Sequence, residues 1–159
     1  EMGVPEKHIL RYPGLTLQQL TDGVLAMNGG KLVPATFDFV GGDMKRLCCQ
    51  LIDFDGRVVS TVPESESFVF NLWERGNPVS SRSASVHMEF LGGRATFGGP
   101  ETWPIYRKEL DVLRELIEAG HIKPPHTTLV GEFSAEAVRR AHTLLEEGRV
   151  QGKLVMSNG

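Results

Sequence analysis

Ala35-Thr36-Phe37-Asp38-Phe39-Val40-Gly41-Gly42-Asp43 decides the fold. Ala35 to Val40 is rich in β-branched and aromatic residues, which suits a strand. It closes on two glycines, and Asp43 behind them is a residue type that caps helices. Met44, Leu47, Cys48 and Leu51 then recur at helical spacing. Asp55-Gly56 reads as a turn, and Arg57 to Val62 as a nearly continuous apolar strand of the sort buried on both faces of a sheet. Strand, helix, strand is thus written into residues 35–62.

The same grammar extends in both directions. Upstream, Thr16 is placed to cap a helix carrying Leu17, Leu20, Val24 and Met27, which Asn28-Gly29-Gly30 ends. Lys7 to Tyr12 is a strand candidate stopped by Pro13-Gly14. Downstream, residues 64–78 have no clear period. Ser85 to Leu91 reads as a strand before Gly92-Gly93. Trp103 to Ala119 is an amphipathic helix with Tyr106, Leu110, Leu113 and Ile117 on one stripe, ended by Gly120. Thr127 to Val130 and Gly152 to Met156 are strands. Between them a helix capped by Ser134 turns Val138, Ala141, Leu144 and Leu145 inward and ends at Gly148. Alternating strands and helices predict an α/β fold with a parallel sheet and right-handed crossovers.

Composition narrows the function classes. The chain has 159 residues, 40% hydrophobic and 23% charged, within the range of an ordinary folded domain. A net charge of −3 lacks the basic excess of a nucleic-acid binder, so no nucleic-acid partner is expected. No apolar run is long enough to span a bilayer, and no leader is visible, so a cytoplasmic location without a membrane partner is expected. Glu1-Met2-Gly3-Val4-Pro5 does not read as a natural start. The neighbours Cys48 and Cys49 do not make a disulfide framework.

Most catalytic signatures are missing. There is no G-x-G-x-x-G phosphate loop, no Walker A loop and no G-x-S-x-G elbow. His8, His87, His121, His126 and His142 show no helical zinc-ligand spacing. Glu64, Glu66, Glu146, Glu147, Arg139 and Arg140 read as solvated surface.

Two segments together carry a resemblance. One is Phe37-Asp38-Phe39-Val40-Gly41-Gly42 followed by Gly56-Arg57-Val58-Val59-Ser60. The other runs from Leu113, Leu116, Ile117, Gly120, Ile122 and Pro124 through Phe133-Ser134, Glu136, Ala141-His142, Leu144-Leu145-Glu146 and Gly148 to Gly152-Lys153-Leu154-Val155. Over nearly its whole length the chain resembles the carboxy-terminal part of medium-chain dehydrogenases/reductases, of the zinc-type alcohol dehydrogenase-like and quinone oxidoreductase branches. The resemblance implies a partial, doubly wound Rossmann-like domain over residues 1–159, mostly parallel, with helices on both faces. Members of the family are roughly twice this length. The amino-terminal GroES-like catalytic domain, the first two cofactor-domain strands and the glycine-rich loop would then be absent, and the chain would begin near the third strand.

The resemblance further implies an NAD(P)H-dependent oxidoreductase passing hydride to a carbonyl, enone or quinone, with NADPH favoured over NADH and no zinc held by this chain. Val40 and Gly41 would line the adenosine side of the cofactor. Val62 and Pro63 would border the nicotinamide ribose, and Phe90, Leu91 and Gly92 would approach the nicotinamide amide through backbone groups. Lys153 lies where some members approach the cofactor. No catalytic residue is assigned, and the chain alone is expected to be inactive.

The alternative is a non-catalytic α/β module that self-associates. Without the first two strands, Ala35 to Val40 would be an unpaired apolar edge able to recruit a second copy. Family dimers join cofactor-domain sheets, which would fall near Ser85 to Phe97 here.

Overall fold

The computed structural model describes residues 4–148 and 150–158, so the start read from Glu1-Met2-Gly3 lies outside the described residues. The chain divides into two compact units, residues 1–103 and 104–159.

In the first unit, α1 (Leu17–Met27) begins as expected. The Thr16 hydroxyl accepts from the Gln19 N–H while the Gln19 side chain accepts from the Thr16 N–H, a reciprocal cap. It is followed by β1 (Val33–Asp38), α2 (Asp43–Leu51) and β2 (Ile52–Ser60). A short α3 (Pro78–Ser81), β3 (Ser85–Met88) and α4 (Gly93–Phe97) complete the order. The sheet runs β1-β2-β3, and both pairings are parallel. Its core is Cys49, Ile52, Val58 and Val79, with Cys48, Phe70, Leu72 and Ala84 packed around them.

The second unit holds α5 (Pro104–Glu118), β4 (Thr127–Glu132), α6 (Ala135–Glu146) and β5 (Lys153–Ser157). Strands β4 and β5 pair in parallel. Val130, Ala137 and Ala141 form its core, with Leu154 and Met156 against them. The Ser134 hydroxyl caps α6 by accepting from the Ala137 N–H.

Several local expectations are corrected. Lys7 to Tyr12 is no strand. Glu6–His8 is one turn of 3-10 helix, and no neighbouring strand pairs with the rest. Asp43 is the first helical residue of α2 and not its cap. Gly42 holds the cap position, at φ +56°, without a side-chain bond. Asp55-Gly56 does not separate two elements but lies inside β2. Val33 pairs with Ile52 and Ala35 already with Arg57, so β2 carries extra residues there and Asp55 takes φ +55°. Residues 57–62 are not buried on both faces: Val58 and Ser60 are buried, Arg57 and Thr61 exposed, and the strand stops at Ser60.

On α2 Leu51 is buried as expected, but Lys45 and Cys49 are buried beside it while Met44, Leu47 and Cys48 are only partly covered. On α6 the small Ala137 and Ala141 meet the strands, while Leu145 is left 57% exposed. Residues 64–78 fold as an irregular segment. The Asn77 side chain ends it by accepting from the Val79 N–H and donating to the Asn71 carbonyl.

Candidate functional site

In an open parallel sheet, ligands gather at the carboxyl ends of the strands, where the chain leaves the ladder and helices begin. The first sheet puts three such exits side by side. Val40 and Gly41 follow β1, Val62 and Pro63 follow β2, and Phe90, Leu91 and Gly92 follow β3. Backbone bonds carry the strands together past their ends, Thr61 N–H to the Asp38 carbonyl at 3.1 Å and Glu89 N–H to the Ser60 carbonyl at 2.8 Å.

Val40, Phe90 and Leu91 are more than half exposed, and Gly41 is buried. Gly92 stands at the cap of α4. Lys153 is exposed and opens β5, at the amino end of a strand in the second unit.

Gly41 is required on two counts. Its φ is +84°, and a Cβ there would meet Val62 Cγ1 at 2.9 Å and Glu64 Oε1 at 3.1 Å. The first two exits therefore touch at this residue. Around a Gly42 Cβ position nothing lies within 4 Å, so that backbone is open to close approach.

Beneath these exits is a polar cluster that sequence reasoning missed. Asp38 ends β1 and is almost fully buried. One of its oxygens accepts from the Gly41 N–H at 2.7 Å and the Val40 N–H at 3.0 Å, and the other from the Ser60 hydroxyl at 2.7 Å. Lys45 reaches in from α2. Its ammonium lies 3.9 Å from Asp38, donates to the Val62 carbonyl at 2.8 Å and pairs with Glu64 at 2.6 Å. That same Glu64 oxygen accepts from the Gly42 N–H at 2.9 Å. Glu64 is thus not the solvated carboxylate that its sequence neighbourhood implies, although Glu66 is exposed.

Burial alone would push the Asp38 carboxyl up. The Gly41 N–H, the Ser60 hydroxyl, the Val40 N–H and the nearby Lys45 charge together outweigh it and hold the group below its usual 3.8. The Lys45 hydrogen bond, then the Gly42 N–H, hold Glu64 below its usual 4.5.

Beside the cluster a cavity of about 270 Å³ lies against the sheet. Val58, Val86 and Met88 contribute from the strands, and Phe68, Phe70 and Leu72 from the irregular segment. The cavity is walled by carbon. The polar groups at its end are committed to each other, Ser60 to Asp38 and Lys45 to Glu64.

Among the described residues no three His, Cys, Asp or Glu side chains cluster to hold a metal ion. Burial, with the neighbouring Cys48 next, pushes the Cys49 thiol up to about 11, which disfavours the thiolate that binds metal.

No curated protein matches the chain. Among solved structures, a quinone oxidoreductase of Pseudomonas syringae pv. Tomato DC3000 is 20% identical, with a TM-score of 0.58 over 86% of this chain and 39% of that one. An alcohol dehydrogenase superfamily protein of Novosphingobium aromaticivorans is 18% identical, TM-score 0.64, over 86% and 40%. The Escherichia coli quinone oxidoreductase, solved with NADPH, is 22% identical, TM-score 0.59, over 92% and 42%. At these identities the likeness is one of fold, an α/β Rossmann-like arrangement of parallel strands and helices, and the chain spans about two-fifths of the length of each. No helix among the described residues is long and apolar enough to cross a membrane. A family match covers residues 14–156. The chain belongs to the zinc-binding dehydrogenase family.

Proposed function

We propose that this chain forms the strand-end wall of the cofactor site in an NADPH-dependent oxidoreductase. The observation that carries the reading is the row of three parallel strand exits. At the first of them Gly42, next to the buried Gly41, has open space beside its backbone, in a chain of the zinc-binding dehydrogenase family. The cofactor supplies the hydride, and the protein supplies place and electrostatics. The Val40 and Gly41 backbone would face the adenosine side, Val62 and Pro63 the ribose next to the nicotinamide, and Phe90, Leu91 and Gly92 the amide. Lys153 is proposed from the resemblance alone. Substrates would be carbonyls, enones or quinones, the last in keeping with the quinone oxidoreductases among the structural neighbours. NADPH is favoured over NADH on the same footing, since the Escherichia coli neighbour was solved with NADPH. The cytoplasm is the proposed location.

The chain alone would be inactive, because nothing in its sequence supplies the glycine-rich loop that normally grips the pyrophosphate. Weak binding without turnover is therefore the expectation. Amide NMR spectra titrated with NADPH, and in parallel with NADH, test it. The amides of Gly41, Gly42 and Gly92 should shift with millimolar NADPH, and shifts confined to other residues, or none, would refute the reading.

A second reading is a non-catalytic module that self-associates through its sheet edge. β1 is an edge strand of its sheet, and Phe37 and Phe39 stand 61% and 69% exposed with their rings stacked. Sedimentation decides it: a chain that stays monomeric at high concentration removes this alternative.

A further inference from the structure

The geometry points to Lys45 as a positioning residue that fixes the first two strand exits as one rigid edge for the cofactor. This rests on the cofactor reading above. The argument begins with what Lys45 touches. A lysine buried to this degree is uncommon and must be paired. Its ammonium is hydrogen-bonded and ion-paired to groups of the two exits, the Asp38 carboxylate under the first and the Val62 carbonyl and Glu64 carboxylate of the second, and the Phe68 ring lies 5.7 Å away. Glu64 then reaches back across and accepts from the Gly42 N–H. The chain of contacts is closed, from Gly42 to Glu64 to Lys45 to Val62, and Val62 packs on Gly41.

No backbone bond between the two exits does this job beyond the Thr61–Asp38 pair at the ladder's end. Gly41 and Gly42 are the residues with most conformational freedom at the site, both at positive φ. Left to themselves they would sample many orientations of the two amides. A charged group clamped between the loops removes that freedom before any ligand arrives, which lowers the ordering cost of binding.

The neighbouring Arg46 shows that this is a local task. Its guanidinium lies 4.5 Å from the Phe68 ring centre and donates to the Val69 carbonyl at 2.7 Å. The irregular segment therefore has an anchor of its own at residues 68–69, closer than the Lys45 ammonium, which stands 5.7 Å from the Phe68 ring centre. The hydrogen bond and ion pairs of Lys45 go to the two exits, at Asp38, Val62 and Glu64.

The test is Lys45→Met, which keeps the apolar stem, with Glu64→Gln as the milder variant should the first not fold. Amide exchange and NADPH-induced amide shifts are read in both and in the wild type. Exchange at the Gly42 amide should rise about tenfold in the variant while the Phe68 to Phe70 amides stay as they were. The NADPH concentration giving half the shift at Gly41 should rise by a similar factor. Unchanged exchange at Gly42 overturns the clamp. Uniformly faster exchange through 68–70 shows general loosening and overturns it too. If NADPH shifts wild type and variant at the same concentration, the positioning role alone falls. If the wild type shows no shift, the cofactor reading falls and takes this inference with it.

Discussion

Replacing Asp38 with Asn keeps the shape of the side chain and removes its charge. Three hydrogen bonds meet the carboxylate, from the Gly41 and Val40 N–H groups and the Ser60 hydroxyl, and the Lys45 ammonium stands 3.9 Å away. Hydrogen bonds to a charged group contribute about 1.5–3 kcal/mol and neutral ones about 0.5–1.5. In Asp38→Asn the two backbone donors keep a neutral acceptor. The amide NH₂ replaces the oxygen facing Ser60, whose hydroxyl can turn to accept, but it sets a donor before Lys45. The loss is then about 1 kcal/mol at each of two or three bonds, or about 2–3 kcal/mol in all. For a chain of this size that is a fall in Tm of about 4–12 °C.

The pH dependence gives the same carboxylate a second signature. The folded-state value of Asp38 lies below its ordinary 3.8, so its stabilisation is complete above that value and is lost as pH falls through the lower, folded value. The gap between wild type and Asp38→Asn should be constant from neutral pH down to the ordinary carboxylate range and close below it. Urea unfolding followed by circular dichroism, at neutral pH and in steps into acid, measures both effects. A variant within about 0.5 kcal/mol of wild type at neutral pH, or a gap that persists unchanged into strong acid, would refute the reasoning.

Other expectations follow from the same structure. Gly41→Ala should destabilise by about 2 kcal/mol, from the positive φ and the contact with Val62, and a melting curve equal to wild type would contradict it. Val58→Ala, at a site with no exposure, should cost about 2 kcal/mol, whereas Val69→Ala, 74% exposed, should stay within about 0.5; denaturant titration separates the two. At mildly alkaline pH an alkylating reagent should label the half-buried Cys48 well before the buried Cys49, whose thiol is pushed up to about 11. Peptide mass spectrometry would show the order, and equal labelling would argue against it.

The elements with strong punctuation were legible in the sequence. Thr16 and Ser134 opened helices, Gly30, Gly120 and Gly148 closed them, and each does so through the expected bonds. The parallel pairing of the strands read at Ala35 to Val40 and Arg57 to Val62 followed from alternation alone, although they run Val33–Asp38 and Ile52–Ser60. Less legible were features where one tertiary contact outranks a local pattern. Met44 looked like the apolar residue to bury on α2, yet Lys45 is the one that turns inward, because two carboxylates far apart in sequence wait for it. The signal was present but faint: an aspartate inside the apolar run Phe37-Asp38-Phe39, and a lysine and cysteine four apart on one helix. Asp55-Gly56 looked like a terminus because turn residues say nothing of whether a partner strand continues alongside. Of the proposed cofactor contacts, the grouping at three strand exits could be read ahead, since it depends on strand order. The Asp38–Ser60–Lys45–Glu64 cluster could not, since it depends on side-chain packing.

Each unit's core is drawn from a short stretch of chain. The main cluster of the first lies between Cys48 and Ala84, that of the second between Val130 and Met156. Few residues must be ordered to close either one, so loop-closure entropy is small and assembly of each should be fast. On the ribosome the consequence is directional. The first nucleus can condense while the segment that carries the second is still being made, and the aspartate and lysine of the strand exits would already be paired when Val130 emerges. Synthesis itself would then sort the two collapses in time and keep the apolar residues of one from competing for those of the other.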